Sequence, residues 1–470
     1  MRRIFLLLLL STISALAQES PQPSKESALH AEFRNEGDRF HESCVNFSIG
    51  SCAYMLFTDH PLHIAAGSIA PQNGFAAGLA MVLHHDAPQW FFKWNFDGVG
   101  STNGSWRAGV YMSIVPVPRS KPPVVVHGGG STAPHKSKLS MFERPLFTIY
   151  AQGITLNKLG FFGIGPNTTN AGRSFFGMQE TIVGGNGVVP LPATGRLGAS
   201  LFGEINGRFV DIRGASGEPS PSIEQLYSPV AAPGLATQPG FIQFGEGLRV
   251  TPSLGDYLKL NYSGKFQQYV ATGSSGFTFR RFTVDLNHEI PFYKTSVTNA
   301  KAGNGPDECG SGGKDLDCPK FDSISRNRYG ALNLRFLLTE SIASSGNTVP
   351  FYFQPTLGGS DINGSAGLPS FQDYRFRAPN VMLLHAGLEH TLFSTPVGII
   401  LGADAGKAVL ARGDIGLDRL RHSYSAGLTL RAGGFPMIYV MFAYGGHEGN
   451  HIIANMNTSL LGGSARPSLF

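Results

Sequence analysis

The sequence predicts an all-β protein: a transmembrane antiparallel β-barrel of about 16 strands, preceded by a short N-terminal periplasmic segment. Three observations predict it. Charged residues make up only 15% of the 470, where soluble proteins ordinarily carry about 25%. Glycine (60) and phenylalanine (34) are abundant, and phenylalanine outnumbers tyrosine and tryptophan together. No apolar run of about 20 residues follows the N-terminus, as a helical span would need; the apolar residues are spread by alternation instead. An apolar share of 42% with a net charge of only +5 argues against disorder. The weak, scattered positive surplus gives no reason to expect nucleic acid.

Residues 1–17 read as a signal peptide. Arg2 and Arg3 precede the apolar run Ile4 to Leu10, and Ala15-Leu16-Ala17 supplies a small-x-small cleavage pattern. Export to the outer membrane is the expected destination. Residues 18–59 are polar and read as a periplasmic segment, with Leu29, Phe33 and Phe40 near helical spacing. The stretch is too short for a conventional multi-domain periplasmic arm.

From residue 60 to 470 the pattern has period two. Trp90, Phe92, Trp94 and Phe96 share one face, opposite Phe91, Lys93, Asn95 and Asp97. Leu258, Leu260, Tyr262, Phe266 and Val270 alternate with Lys259, Asn261, Ser263, Lys265 and Gln267; Ile452, Ala454 and Met456 alternate with His451, Ile453 and Asn455. One face suits lipid and the other a wet lumen. Such segments start near Ala76, Trp90, Trp106, Phe147, Ser174, Gly198, Phe241, Leu258, Phe279, Tyr329, Pro350, Val381, Val397, His422, Phe435 and His451. The pair Arg280-Arg281 shifts the alternation and is expected to mark a bulge. Every backbone group in lipid must be paired, so the sheet must close.

Breaker-rich stretches at 115–140, 213–240 and 295–325 read as surface loops. Their basic groups could meet lipopolysaccharide phosphates, or be solvated with no ligand. Cys44 with Cys52 and Cys309 with Cys318 form two close pairs, expected to be local disulfides in an oxidising compartment. Neither spacing is that of a zinc site, and no cofactor is expected. His84-His85-Asp86 carries acid–base groups, but no Gly-x-Ser-x-Gly elbow accompanies it, and Ala87-Pro88 points to a hairpin. Gly128-Gly129-Gly130 lacks the lysine and following helix of a phosphate loop. The chain is therefore not expected to be an enzyme.

The C-terminal third carries Leu357-Gly-Gly-Ser-Asp361, then Leu368 to Arg377, a strand from Val381 to Phe393, Gly402-Ala-Asp404-Ala-Gly406-Lys407, and Ser423 to Arg431. Earlier stand His60 to Gly78, and Phe161 to Thr168 followed by Arg173 to Phe176. In this order these segments resemble the bacterial surface antigen barrel of the BamA/TamA outer-membrane insertase superfamily, in a minimal form without periplasmic substrate-binding domains, with His60 to Gly78 resembling its first barrel strand. The resemblance implies a surface loop folded back into the lumen, its tip arginine paired with the aspartate of a Gly-x-Asp-x-Gly strand motif. The strand motif is kept in Gly402, Asp404 and Gly406. The loop keeps Leu368 and Phe371, but Pro369 replaces the arginine and Ser370 the glycine. Arg375, Phe376 and Arg377 continue the pattern, so Asp404 is expected to meet Arg375, Arg377 or water. Gly387 and Glu389 also depart from the family. Phe470 could serve as a barrel-assembly signal or end a frayed tail.

The resemblance implies help with insertion or translocation of outer-membrane components, with lipids including lipopolysaccharide and unfolded outer-membrane proteins as partners. A passive channel and a surface barrel without insertase activity are the alternatives.

Overall fold

The computed structural model describes residues 62–469, apart from 88, 117–144, 193–196, 216–220, 253–257, 274, 304–319, 393–396, 433–434 and 457–465, together with three isolated positions before residue 62. The signal segment, nearly all of the periplasmic segment, the four cysteines and Phe470 lie outside the described residues.

Eighteen strands follow in chain order: β1 Leu62–Gly67, β2 Ala76–Ala87, β3 Trp90–Ser101, β4 Trp106–Pro116, β5 Leu146–Phe161, β6 Ser174–Pro190, β7 Leu197–Gly214, β8 Phe241–Pro252, β9 Lys259–Ala271, β10 Phe279–Gly303, β11 Lys320–Ala343, β12 Thr356–Leu357, β13 Phe376–Arg377, β14 Asn380–Thr391, β15 Val397–Val409, β16 Arg421–Ala432, β17 Phe435–Tyr444 and β18 Asn450–Met456. Sixteen of them form one antiparallel sheet in which sequence neighbours are spatial neighbours, from β1 to β11 and on through β14 to β18. β12 and β13 form a separate two-stranded ribbon in the β11–β14 connection. This is the meander of an up-and-down transmembrane β-barrel.

Alternation decides which side chains face in. On β3, Asn95, Asp97 and Val99 are buried while Trp90 is exposed. The outward rings of Trp94 and Phe96 stack at 6.4 Å. On β7, Asn206 and Arg208 are buried while Leu201, Ile205 and Phe209 are exposed. Val110, Ile149, Val183, Phe244, Phe266, Leu428 and Phe442 extend the same outward apolar face around the sheet. A water-soluble protein would leave this face unsatisfied; a bilayer solvates it. Ile205→Arg, at the middle of β7, should therefore cost about 2–4 kcal/mol of barrel stability. The midpoint of heat-modifiable migration in a urea series measures it, and an unchanged midpoint would put this face outside the hydrocarbon.

The structure corrects three expectations. No strand of the barrel starts at Pro350: Phe351–Phe353 is a turn of 3-10 helix, with all three side chains buried. Residues 62–78 are not one strand, because β1 ends at Gly67 and the chain turns through residues 68–75 before β2. Arg280-Arg281 is not a bulge. Register with β9 runs unbroken from Phe279↔Tyr269 to Glu289↔Lys259, and the irregularity lies at Pro291/Tyr293, where proline cannot donate to the ladder. In addition, β11 starts at Lys320 rather than near Tyr329.

The meander places the connections β1–β2, β3–β4, β5–β6, β7–β8, β9–β10, β11–β14, β15–β16 and β17–β18 at one end of the sheet. The long β11–β14 connection folds inward from that end and positions the candidate site.

Candidate functional site

The inner loop turns back on itself at the β12–β13 ribbon, where Thr356 faces Arg377 and Leu357 faces Phe376. Gly358 (φ +100°) and Gly359 (φ +59°) begin the turn. A Cβ on Gly358 would lie 2.6 Å from Arg375 Cβ, so glycine is required there. Leu368, Phe371 and Phe376 are buried with Leu357, Val381 and Leu383, which pins the loop to the inner faces of β14 and β15. A second apolar cluster holds Phe351 and Phe353 against Phe161, Phe176 and Phe241, with edge-on ring contacts between 5.0 and 5.2 Å, and against Phe279 at 5.9 Å.

Neighbouring loops bind the inner loop through its backbone and through the Tyr374 side chain. Gly165 N–H donates to Arg377 O at 2.7 Å, Phe351 N–H to Pro233 O at 2.8 Å, and Tyr374 O–H to Pro71 O at 3.0 Å. Ser370 is fully buried, and its N–H donates to Ser423 Oγ at 2.9 Å. It lies against Gly445 and Gly449 of the β17–β18 turn; a Cβ on Gly449 would come within 2.6 Å of Ser370 O.

The strand motif and the two arginines are all in the lumen, but not paired as expected. Asp404, buried on β15, faces His385 of β14, with Oδ1 3.0 Å from His385 Nδ1. Arg375 instead donates to Thr168 Oγ1 at 2.8 Å, to Thr168 O at 2.7 Å and to Glu448 Oε2 at 3.0 Å. Arg377 donates to Phe351 O at 2.7 Å and to Gln354 O. Burial holds the Arg377 guanidinium down to about 10, which still leaves it charged at neutral pH. Burial also lowers Arg375, against the raising influence of Glu448.

The motif glycines have separate uses. Gly406 gives the loop room: a Cβ there would meet Leu357 Cδ1 at 3.2 Å. Gly402 and Gly387 instead leave space beside His385, whose ring atoms lie 3.8 and 2.7 Å from their ideal Cβ positions. His385 was not singled out in the sequence. Its signal was parity with Gly387, but only the strand register reveals that it opposes Asp404.

The rest of the lumen is an ionic and hydrogen-bonded network that sequence reading did not isolate. Glu180 and Arg208, 0% and 1% exposed, pair at 2.7 Å. Lys265 meets Glu204 at 3.0 Å, and Arg335 grips Asp285 through two bonds of 2.9 Å. Asp97 faces Arg107 and Arg466 at 3.2 and 2.7 Å. The triplet His84-His85-Asp86 lies elsewhere, at the β2–β3 hairpin; His84 and His85 are exposed, with their rings near Phe91 and Phe92.

The two end strands of the sheet come to one place. A cavity of about 860 Å³ is lined by Gly67 to Gln72, at the end of β1, and by His451 to Ala454 of β18. Asp373 and Gln372 of the inner loop form part of its wall.

These features define a 16-stranded transmembrane barrel with an inner loop. No family model matches the chain, and no curated protein matches it. Among solved structures it is similar to CdiB from Escherichia coli, at 12% identity and TM-score 0.47, over 84% of this chain and 62% of that one. It is similar also to BamA from Haemophilus ducreyi lacking POTRA domains 1-3, at 11% and 0.45, over 84% and 69%. CdiB from Acinetobacter baumannii gives 11% and 0.44, over 82% of this chain and 55% of the other, so the chain spans about half of that protein. The fold assignment rests on the strand order and face pattern above.

Proposed function

We propose that the chain is an outer-membrane β-barrel of the BamA/TamA type that assists insertion or translocation of outer-membrane components through the seam between β1 and β18. The observation that carries this reading is the shared cavity at the two end strands. β1 and β18 are the two end strands of the large sheet, and both border this cavity. Among the described residues no register joins them. An end strand that is not paired along its outer edge keeps free N–H and C=O groups, which template pairing with an incoming strand. Unfolded outer-membrane proteins are the clients this chemistry suits, with outer-membrane lipids around the barrel.

The test locks the seam. Ser68→Cys and Ile453→Cys, both lining the cavity, are joined by a bifunctional maleimide after Cys44, Cys52, Cys309 and Cys318 are replaced by serine. The barrel is reconstituted in liposomes, and the folding of an unfolded small barrel protein is timed. Folding should be faster than in empty liposomes, and the cross-link should remove most of that gain. Acceleration that survives the lock would refute the seam. No acceleration with or without it would leave a channel or surface barrel, which single-channel conductance separates.

A further inference from the structure

Residues 466–469 follow β18 and lie inside the barrel, in contact with groups far away in sequence. Arg466 directs Nε and a terminal nitrogen to Asp97 Oδ2 at 3.0 and 2.7 Å. The Asp97 side chain, 1% exposed, stands on the inner face of β3. Arg208, on the inner face of β7, donates to two successive carbonyls, Ser468 O at 2.7 Å and Leu469 O at 3.2 Å. The Leu469 N–H donates to Asn363 Oδ1 of the inner loop at 2.9 Å. Pro467 and Leu469 are buried, and Leu469 joins the apolar cluster that contains Ile362.

We propose that Asp97, Arg208 and Asn363 form a lumenal peptide-binding site, occupied in cis by residues 466–469, and that its occupancy closes the lumen. The ligand class is an extended peptide with an arginine and, three residues on, an aliphatic side chain. Each part of the site selects for one feature. Asp97 supplies the carboxylate for a cationic side chain. Arg208 is already held by Glu180 and Gln243, so its remaining N–H groups are fixed in place to read main-chain carbonyls. Helical carbonyls would be occupied by their own helix, so this pattern selects extended chain. Pro467 keeps the segment extended and disfavours helix in the residue before it.

The placement of the two segments explains the closure. The inner loop enters from the end that holds the β1–β2 and β17–β18 connections. Residues 466–469 lie against Asp97 of β3 and Arg208 of β7 on the inner side of the sheet. The two meet inside the barrel at the Leu469–Asn363 bond. The inference does not depend on seam opening: the site stands whether or not the barrel accelerates client folding.

The test uses the full chain in planar bilayers. Deletion of residues 466–470 should raise single-channel conductance severalfold, and Arg466→Glu, which sets two carboxylates against each other, should do the same. Residues 466–470 added as a synthetic peptide should return the deleted barrel to the low-conductance state. The same peptide with glutamate in place of arginine should not. Heat-modifiable migration establishes that each barrel is folded. Unchanged conductance in folded variants would overturn the closure. Raised conductance that the peptide does not reduce would overturn the binding site.

Discussion

Arg375→Ala is expected to release the inner loop from the neighbouring loops and to cost about 3 kcal/mol. The side chain, 1% exposed, makes two hydrogen bonds to Thr168 and one to Glu448. It also lies 5.1 Å from the Phe162 ring centroid and 4.6 Å from that of Phe376. Hydrogen bonds from a charged group contribute about 1.5–3 kcal/mol each, and three that share one guanidinium do not add in full. Alanine leaves Thr168 O and the Glu448 carboxylate without this donor. Arg375→Lys keeps the charge but loses the planar fork, so it should recover only part of the loss. Arg419→Ala is the control: its side chain is 93% exposed and pairs with Asp418, itself 63% exposed, so stability should be essentially unchanged. Limited proteolysis at residues 357–377 and the urea midpoint of heat-modifiable migration read the two effects. A loop that stays protected in Arg375→Ala would mean that Leu368, Phe371 and Phe376 hold it by apolar packing alone.

The strands were legible because each has two solvents. Where one face meets lipid and the other the lumen, period two is written directly into the residues, as in Trp90 to Asp97. Fifteen of the sixteen expected starts fall on a barrel strand or within one residue of one, since local alternation needs no knowledge of partners. Pro350 failed for the converse reason. Phe351, Tyr352 and Phe353 are all buried, because they sit inside the barrel and have no lipid face. Gly402, Asp404 and Gly406 were legible as a lumenal strand motif, and Arg375 and Arg377 as lumenal loop arginines. Their partners were not, because a guanidinium surrounded by several carbonyls and carboxylates is assigned by three-dimensional distance alone. Arg375 reaches Thr168 across 207 residues, and Arg208 reaches Ser468 across 260. Asp97 and Arg466 are 369 residues apart. No local pattern encodes such a pair.

Glu180→Gln is expected to be the most damaging single change in the lumen, at about 3–5 kcal/mol, because it leaves Arg208 buried without its countercharge. The two are 0% and 1% exposed, and the other direct hydrogen-bond partners of Arg208 are Gln243 and two backbone carbonyls, all neutral; Glu204, beyond Gln243, is already paired with Lys265. Exchanging both partners removes the charge and its compensation together, so Glu180→Met with Arg208→Met should be close to neutral in stability. The double variant separates two roles of the same arginine. Stability should return to near the starting value, while the donors to Ser468 O and Leu469 O are gone. A folded barrel with raised conductance is therefore the expected outcome. If Glu180→Gln were as stable as the parent, water would have to reach Arg208 in the lumen and replace the carboxylate. The tight packing of residues 467 and 469 beside it argues against that, and deletion of 466–470 in the Glu180→Gln background decides it: opening the site to water should then recover part of the lost stability.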